Sequence, residues 1–249
     1  MAVGALVVAG WVYGAPRLAS LRTSPLEFRD LEGLAPFREL ARAGAVSGGT
    51  GVLLGLAPTE APDDAQLARM AAVRADPCTA LFGRTDDPRI PVAFFSDINC
   101  PNCRVLEKIL AEYQAANPDA LRLVRYELPL LGAASMTAAR AVLAADRQGA
   151  YDAMQARLMR TRMVTDLGLV QLIAEDIGLD GPRLVADMGL PEIDAALDQA
   201  RALAAVFGFY GTPGTVIGRT AFLGALSASD VGRIIDAERT LPPLPCQDV

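Results

Sequence analysis

Residues 94–110 read FFSDINCPNCRVLEKIL and contain two of the chain's four cysteines, Cys100 and Cys103. The apolar run RIPVAFFSD at 89–97 leads directly into the pair and is typical of a buried strand, because it is short and rich in aromatic and β-branched residues. After the pair, apolar residues recur at helical spacing up to Asn117. A cysteine pair between a strand and a helix can be a redox catalyst, part of a metal site or a structural disulfide.

The expected position of Cys100 favours a reactive thiolate. Pro101 fits the first position of the helix, where its missing N–H costs nothing, so Cys100 is predicted to be the N-cap. Its sulfur then faces unpaired N–H groups and the positive end of the helix dipole, which favour thiolate over thiol. Cys100 is therefore the expected attacking sulfur, and Cys103, one turn later, the expected resolving thiol beneath it.

The composition argues against several other kinds of chemistry. The chain has 249 residues, a net charge of −6 and no histidine. An acidic chain is poorly suited to nucleic acid, and without histidine there is no Ser-His-Asp triad, Cys-His pair or histidine metal site. A metal site would need Cys78, Cys246 or carboxylates as further ligands. A structural disulfide between Cys100 and Cys103 would close a loop too short to stabilise the fold much. We therefore predict no metal and no cofactor.

The first residues indicate export. The stretch MAVGALVVAGWVYGA at 1–15 has no charge and is shorter than the roughly 20 apolar residues of a spanning helix. Arg17 and Arg22 follow it and no basic residue precedes it, so an uncleaved anchor stays open beside a cleaved signal, as does a buried helix. We interpret residues 1–21 as a signal peptide or N-terminal membrane anchor. The protein is then periplasmic or otherwise extracytoplasmic, either free or anchored to the inner membrane.

Residues 22–87 form an N-terminal extension for which the sequence predicts short helices. The stretch LEGLAPFRELARAG at 31–44 is compatible with one, and APDDAQLARMAAVRA at 61–75, with Asp64 near its start, with a longer one. The stretch SGGTGVLLGL at 47–56 lacks the Gly-Lys-Ser/Thr ending of a phosphate-binding loop, so it is predicted to be a turn.

The rest of the chain alternates between strands and helices. The stretch LRLVRYELPL at 121–130 predicts a second strand and hence a βαβ unit. Residues 132–207 are rich in alanine and predict a block of four or five helices. A hairpin is predicted at 214–225 and a final helix at 227–239. Thr212-Pro213 directly precedes the hairpin, where a proline marks an edge strand or a cis peptide bond.

The order of these elements resembles the DsbA-like branch of the thioredoxin superfamily. The most specific matching stretches are FFSDINCPNC at 94–103, PLLGAASMTAARAVLAADRQGAYDAMQARLM at 129–159 and GTPGTVIGRTAFLGALSASDV at 211–231. The resemblance implies an α/β, thioredoxin-like fold at 88–240 with an inserted alanine-rich helical domain at about 132–207. The N-terminal extension precedes this domain, and a tail at 241–249 follows it.

The resemblance also implies a thiol-disulfide oxidoreductase. In that family the first cysteine is nucleophilic, the second resolves and a cis-proline loop packs against them, and these roles fall here on Cys100, Cys103 and Pro213. A cis bond would leave the backbone of Thr212 free to pair with an extended substrate segment near Cys100. The implied partners are exported proteins with thiols or disulfides and a membrane or periplasmic redox partner.

Two features depart from the family. Position 94, six residues before Cys100, often holds a buried acid, and here it is a phenylalanine. Asp97 is the nearest carboxylate and is either a redox-tuning group or an exposed loop acid. Strongly oxidising members have Pro-His between the cysteines, whereas Pro101 is followed here by the neutral Asn102. We therefore expect a Cys100 pKa between about 8.5 and about 3.5, and a disulfide oxidase of moderate strength.

Cys78 and Cys246 flank the domain. Thioredoxin-like folds can bring their chain ends to the same side, and exported proteins meet an oxidising environment, so we predict that these two cysteines form a structural disulfide. Two free or separately used thiols are the alternative.

Other functions stay open at this point. Thr212 before the proline resembles the isomerase and reductase branches of the family. A cysteine-based metal-binding or chaperone module is a different class. A related fold acts on small thiol conjugates, but such proteins usually carry serine at the position of Cys100.

Overall fold

The computed structural model describes residues 25–41, 44–47, 61–161 and 166–247. Residues 1–21, for which the sequence predicts a signal or an anchor, lie outside this part of the chain. Within the part that is described, no helix combines the length and the apolar character needed to cross a membrane.

A mixed six-stranded sheet forms the centre of the described structure. Its strands are β1 (Phe28–Asp30), β2 (Arg38–Leu40), β3 (Ile90–Ser96), β4 (Leu121–Glu127), β5 (Gly214–Ile217) and β6 (Thr220–Leu223). Their order across the sheet is β1-β2-β6-β5-β3-β4. Strand β3 runs parallel to β4 and antiparallel to β5, and β5 and β6 form the predicted hairpin.

The described helices pack around this sheet, and some of them form an additional layer beside it. They are α1 (Asp64–Ala75), α2 (Pro77–Phe82), α3 (Pro101–Ala116), α4 (Ala133–Asp146), α5 (Tyr151–Met159), α6 (Leu167–Asp176), α7 (Gly181–Asp187), α8 (Pro191–Val206) and α9 (Ala228–Arg239). Helix α3 connects β3 to β4, which completes the predicted βαβ unit. Helices α4 to α8 lie between β4 and β5 in the chain and correspond to the predicted helical insertion.

The helix considered for residues 31–44 is wrong, because this stretch contains strand β2. Phe37 and Leu40 are both buried, but they pack in two different cores on opposite faces of the sheet. Residues three apart share one face of a helix and point to opposite faces of a strand, so only a strand can bury both in this way. Strand β2 pairs with β1 on one side and with β6 on the other, where Arg38 lies opposite Thr220. Among the described residues of the extension, the helices are α1 and α2.

The sheet is covered on both faces. Side chains alternate along β3, so Phe94 and Phe95 point in opposite directions, and both are fully buried. Phe94 packs with residues of α3 and α9, among them Leu106 and Ile235. Phe95 packs in a second core to which α1, α2 and α8 contribute. This two-sided burial explains why the sequence of β3 is a continuous apolar run.

The helical insertion has a core of its own. Alanines of α4, such as Ala141 and Ala145, pack there against Met154 and Leu184 of neighbouring helices. Ile98, in the loop that follows β3, belongs to the same core. The insertion therefore holds one side of the loop that leads to the cysteine pair.

A disulfide joins Cys78 in α2 to Cys246 in the tail, across 168 residues of sequence. The two Cα atoms are 5.6 Å apart, and both cysteines are buried beside Leu81 and Leu244. The bond ties the N-terminal extension to the C-terminal tail.

Candidate active site

The cysteine pair lies at the junction of β3 and α3. Cys100 is the N-cap of α3 and Pro101 is its first residue. The Cys100 sulfur accepts the backbone N–H of Cys103 at 3.0 Å, which satisfies one of the unpaired donors of the first helical turn. Cys100 and Cys103 are both free thiols and both fully buried.

The surroundings of the two thiols shift their pKa values in opposite directions. The Cys103 thiol donates to the sulfur of Cys100, and with smaller contributions from Thr212 and Ser47 this lowers the pKa of Cys100 from its ordinary value of 9.0 to about 6. Burial, followed by the neighbouring Cys100, raises the pKa of Cys103 far above its ordinary value. At neutral pH, Cys100 is therefore a thiolate and Cys103 a thiol.

A loop from the far end of the chain lies against Cys100. The peptide bond between Thr212 and Pro213 is cis, and the next residue, Gly214, pairs with Phe95 near the end of β3. This register brings the loop to the end of β3, where the cysteines lie. The Cys100 sulfur lies 3.6 Å from the backbone carbonyl oxygen of Thr212, to which it donates a hydrogen bond only in its protonated form.

Asp97 is buried, with 1% of its surface exposed, so its interpretation as an exposed loop acid is wrong. The loop after β3 folds back and places the Asp97 carboxylate beside the segment that leads into α4. There it accepts two backbone N–H groups, those of Leu130 and Leu131, at 2.8 and 2.9 Å. It also accepts the backbone N–H of Asn99 at 2.8 Å and the hydroxyl of Ser135 at 2.7 Å.

These contacts make Asp97 the anchor of the loop that presents Cys100. The Asp97 carbonyl accepts the backbone N–H of Cys100 at 2.9 Å, and its backbone N–H contributes a hydrogen bond to the Cys103 sulfur. Buried carboxylates need several donors, and each donor here belongs to the loop itself, to the segment that leads into α4 or to α4. Asp97 thus fixes the position of both cysteines through the backbone.

Phe94 and Asn102, the two positions at which the sequence departs from the family, have different surroundings. Phe94 is fully buried in the same core as Cys100 and Cys103, so the place where relatives often have an acid is apolar here. Asn102 donates its side-chain N–H to the hydroxyl of Ser47 at 2.8 Å. Within the described ranges, His, Cys, Asp and Glu side chains form no group of three that could hold a metal ion.

Sequence reasoning missed two features near the site. Ser47, predicted as part of a turn, forms an isolated antiparallel bridge with Thr212, while residues 48–56 of that predicted turn lie outside the described residues. Glu127 at the end of β4 is buried and accepts the hydroxyl of Tyr151 at 2.6 Å. The acidic residue at the end of an apolar strand was the available signal for Glu127, whereas no local pattern marks Ser47.

Comparison with known proteins agrees with this geometry. The family model described as the DSBA-like thioredoxin domain matches residues 91–235, more than half of the chain. A thioredoxin-like oxidoreductase from Silicibacter pomeroyi DSS-3 has a similar structure, with 35% sequence identity and a TM-score of 0.61, covering 66% of this chain and 99% of that one. A comparison with curated proteins found no match.

Two more distant structures share the fold. The thiol-disulfide exchange protein alpha-DsbA2 from Wolbachia pipientis is 20% identical with a TM-score of 0.57, covering 71% of this chain and 99% of that one. A periplasmic thioredoxin-like protein from Salmonella enterica serovar Typhimurium is 20% identical with a TM-score of 0.56, covering 73% of this chain and 100% of that one. The predicted thioredoxin-like fold is therefore confirmed. The chain belongs to the family of thiol-disulfide oxidoreductases with a DSBA-like thioredoxin domain.

Proposed function

We propose that Cys100-Pro-Asn-Cys103 is the redox centre of this enzyme and that it oxidises thiols of exported proteins. The observation that supports this most is the N-cap position of Cys100, whose sulfur accepts a backbone N–H of α3 and has a pKa of about 6. A thiolate stabilised in this way attacks disulfides at neutral pH and also leaves readily from a mixed disulfide.

The proposed reaction begins with the Cys100–Cys103 disulfide. A client thiolate attacks the Cys100 sulfur, so a client–Cys100 disulfide forms, and the Cys103 sulfur leaves with the electron pair and takes up a proton. A second client thiolate attacks the client sulfur of this mixed disulfide, and Cys100 leaves as a thiolate. The client loses two electrons, and Cys100 and Cys103 gain them. A membrane or periplasmic redox partner then removes the two electrons and restores the disulfide.

The cis-proline loop is the proposed client platform. The backbone N–H and C=O of Thr212 point to the same edge at which an extended client would pair. Its carbonyl lies 3.6 Å from the Cys100 sulfur, so a client paired there would have its cysteine beside the attacking atom. Thr212 and Pro213 thus hold the client, and Asp97 holds the cysteines.

The pKa of Cys100 supports a moderate oxidant. Stabilising the thiolate stabilises the reduced enzyme, which makes the disulfide form the stronger oxidant. Relative to an ordinary thiol, a pKa of about 6 makes the potential at pH 7 more oxidising by about 30 mV. Isomerisation or reduction at the same centre is the second candidate, and Thr212 before the proline favours it.

The Cys78–Cys246 disulfide supports an extracytoplasmic location, because such bonds persist in oxidising compartments. We further propose that residues 1–21 direct export or anchor the chain, that residues 22–87 extend the domain at 88–240, and that 241–249 is the tail. The Salmonella protein of the same fold is periplasmic.

The test uses one reduced client and two variants. The wild-type enzyme should form disulfides in a reduced, unfolded client in glutathione buffer, and Cys100→Ala should remove this activity. The matched control is Cys78→Ala with Cys246→Ala, which removes the other two cysteines and should leave turnover intact. Equal turnover in wild type and Cys100→Ala would overturn the proposal, and stoichiometric zinc or copper without turnover would favour a metal-binding module.

A second measurement decides the direction. The equilibrium of Cys100 and Cys103 with glutathione gives the reduction potential. A potential that oxidises client dithiols supports the oxidase. Efficient reduction of insulin, together with recovery of a scrambled client, would support the isomerase or reductase instead.

A further inference from the structure

A short segment of the N-terminal extension lies across the cis-proline loop. The backbone N–H of Ser47 donates to the carbonyl of Thr212 at 2.8 Å, and the N–H of Thr212 donates to the carbonyl of Ser47 at 2.9 Å. The two residues therefore form an antiparallel bridge. Both backbone groups of Thr212 that could receive an extended client already have a partner within the chain.

The same segment is held at a second point. Ala45 and Ala225 exchange backbone hydrogen bonds of 3.3 and 2.9 Å, and the N–H of Gly44 donates to the carbonyl of Leu223 at 2.7 Å. Residues 44–47, called the active-site strap below, thus follow the edge formed by the cis-proline loop and the end of β6. Bonds at both ends of the strap fix its register.

The side chain of Ser47 faces the cysteine pair. Its hydroxyl accepts the side-chain N–H of Asn102 at 2.8 Å, and Ser47 also hydrogen-bonds Cys100 and contributes to its low pKa. Side chains alternate along an extended segment, and Val46 accordingly packs in the core on the other side. Ser47 thus occupies the position that the cysteine of a bound client would take.

We propose that the active-site strap is an internal substrate mimic that occupies the client groove and covers Cys100 until a client segment displaces it. Serine has the size of cysteine, but its hydroxyl forms no disulfide, so the strap can bind without being trapped. Cys100 has no exposed surface while the strap is in place. The inference rests on the proposed function for the client that displaces the strap, and on geometry alone for the covering of the Cys100 thiol.

The strap fits this edge closely. A Cβ on Gly44 would lie 2.6 Å from the carbonyl carbon of Ala225, which is closer than atoms can pack, and the opposing partner is backbone that cannot turn away. Gly44 also lies against Gly224. Adding one methyl group at position 44 should therefore lift the strap without touching either cysteine.

The first test compares Gly44→Ala with Gly232→Ala, whose added Cβ meets nothing within 4 Å. The reduced proteins are treated with iodoacetamide at pH 8, where Cys100 is a thiolate in each, so that the rate reports access to the sulfur. We expect Gly44→Ala to react at least about fivefold faster, the factor that corresponds to one lost backbone hydrogen bond. Gly232→Ala should match the wild type, and Cys103 should stay unreacted in all three.

The second test traps the strap where it lies and needs no disruption of the fold. In a Cys103→Ser background, Ser47→Cys is incubated with oxidised glutathione. Cys100 first forms a mixed disulfide with glutathione, and the new thiol displaces glutathione to give a bond between positions 47 and 100. Val46→Cys, whose side chain points into the core, is the matched control and should remain unlinked.

The outcomes separate the strap from the proposed function. Faster alkylation of Gly44→Ala and a specific 47–100 cross-link support the strap even if no client is ever turned over. Equal alkylation rates together with no cross-link overturn it, even in an enzyme that oxidises clients well. Where turnover exists, Gly44→Ala should also lower the KM for an unfolded client, because the client no longer competes with the strap.

Discussion

The sulfur of Cys100 lies 3.6 Å from the carbonyl oxygen of Thr212, which follows it by 112 residues in the chain. The antiparallel pairing of β5 with β3 produces this contact, because Gly214 is paired with Phe95. Cys100 and the Thr212 backbone, which we propose as the client platform, thus come from opposite ends of the domain.

The acidity of Cys100 should be visible in a pH titration. In the reduced enzyme, thiolate absorbance should rise with a midpoint of about 6, since the Cys103 thiol and the first turn of α3 stabilise the anion. Cys103 should contribute nothing at that pH. A midpoint near the ordinary thiol value of 9.0 would contradict the proposed role.

The same shift should couple stability to pH. The folded-state pKa lies below the unfolded one, so the thiolate stabilises the reduced protein fully above pH 9.0 and no longer does so below about 6. The difference in free energy of unfolding between reduced wild type and Cys100→Ser should rise by up to about 1.4 kcal/mol per pH unit in this window. Urea titrations at several pH values measure it, and a flat difference would refute it.

Asp97→Asn should destabilise the loop that presents the cysteines. The amide keeps the size of the side chain but replaces one oxygen with a donor, which must then face either Leu130 and Leu131 or Asn99 and Ser135. The expected loss in free energy of unfolding is about 2–3 kcal/mol, since hydrogen bonds to a buried carboxylate are involved.

Ser135→Ala is the control for Asp97, because it removes only one of the four donors and should cost about 1 kcal/mol. Asp97→Asn should also shift the reduction potential, whereas Ser135→Ala should do so less. Equal losses in the two variants would mean that the carboxylate does not anchor the loop.

Glu127 should make the protein less stable as the pH rises. Burial raises its pKa from 4.5 to about 8, so its contribution to stability is fully present below pH 4.5 and is lost as the pH rises through 8. Glu127→Gln, whose oxygen can still accept the Tyr151 hydroxyl, should remove a slope of up to about 1.4 kcal/mol per pH unit. Thermal unfolding of both proteins between these pH values checks this.

The matched variant for Glu127 is Tyr151→Phe, which removes the hydrogen bond that stabilises the ionised carboxylate. The pKa of Glu127 should then rise further, so the loss of stability should extend to higher pH. If wild type and Glu127→Gln have the same pH dependence, Glu127 does not titrate in this range.

Removal of the Cys78–Cys246 disulfide should destabilise the protein without stopping exchange. Cys78→Ala with Cys246→Ala should lower the free energy of unfolding by about 2–4 kcal/mol, because the bond closes a long loop and restricts the unfolded chain. Chemical unfolding in the presence and absence of the bond measures the loss. A double variant as stable as wild type would show that the bond contributes nothing to the fold.

Local patterns in the sequence were enough for the elements and for the cysteine pair. The apolar run of β3, the proline after Cys100 and the alanine-rich insertion each depend on neighbours in the chain, and the structure has them as strand, N-cap and helices. Strands β1 and β2 were missed because each has three residues, which are too few for a periodic pattern, and because β6, the second partner of β2, lies about 180 residues away.

What the sequence determined by itself is the chemistry at the start of α3, since an N-cap and a helix dipole act within one turn. Only the tertiary structure decided the environment of that chemistry. Asp97 is buried because the helical insertion covers its loop, and Ser47 meets Thr212 because the extension runs past the ends of β5 and β6. Burial and cross-chain hydrogen bonds depend on which surfaces the folded chain brings together, and no local pattern encodes them.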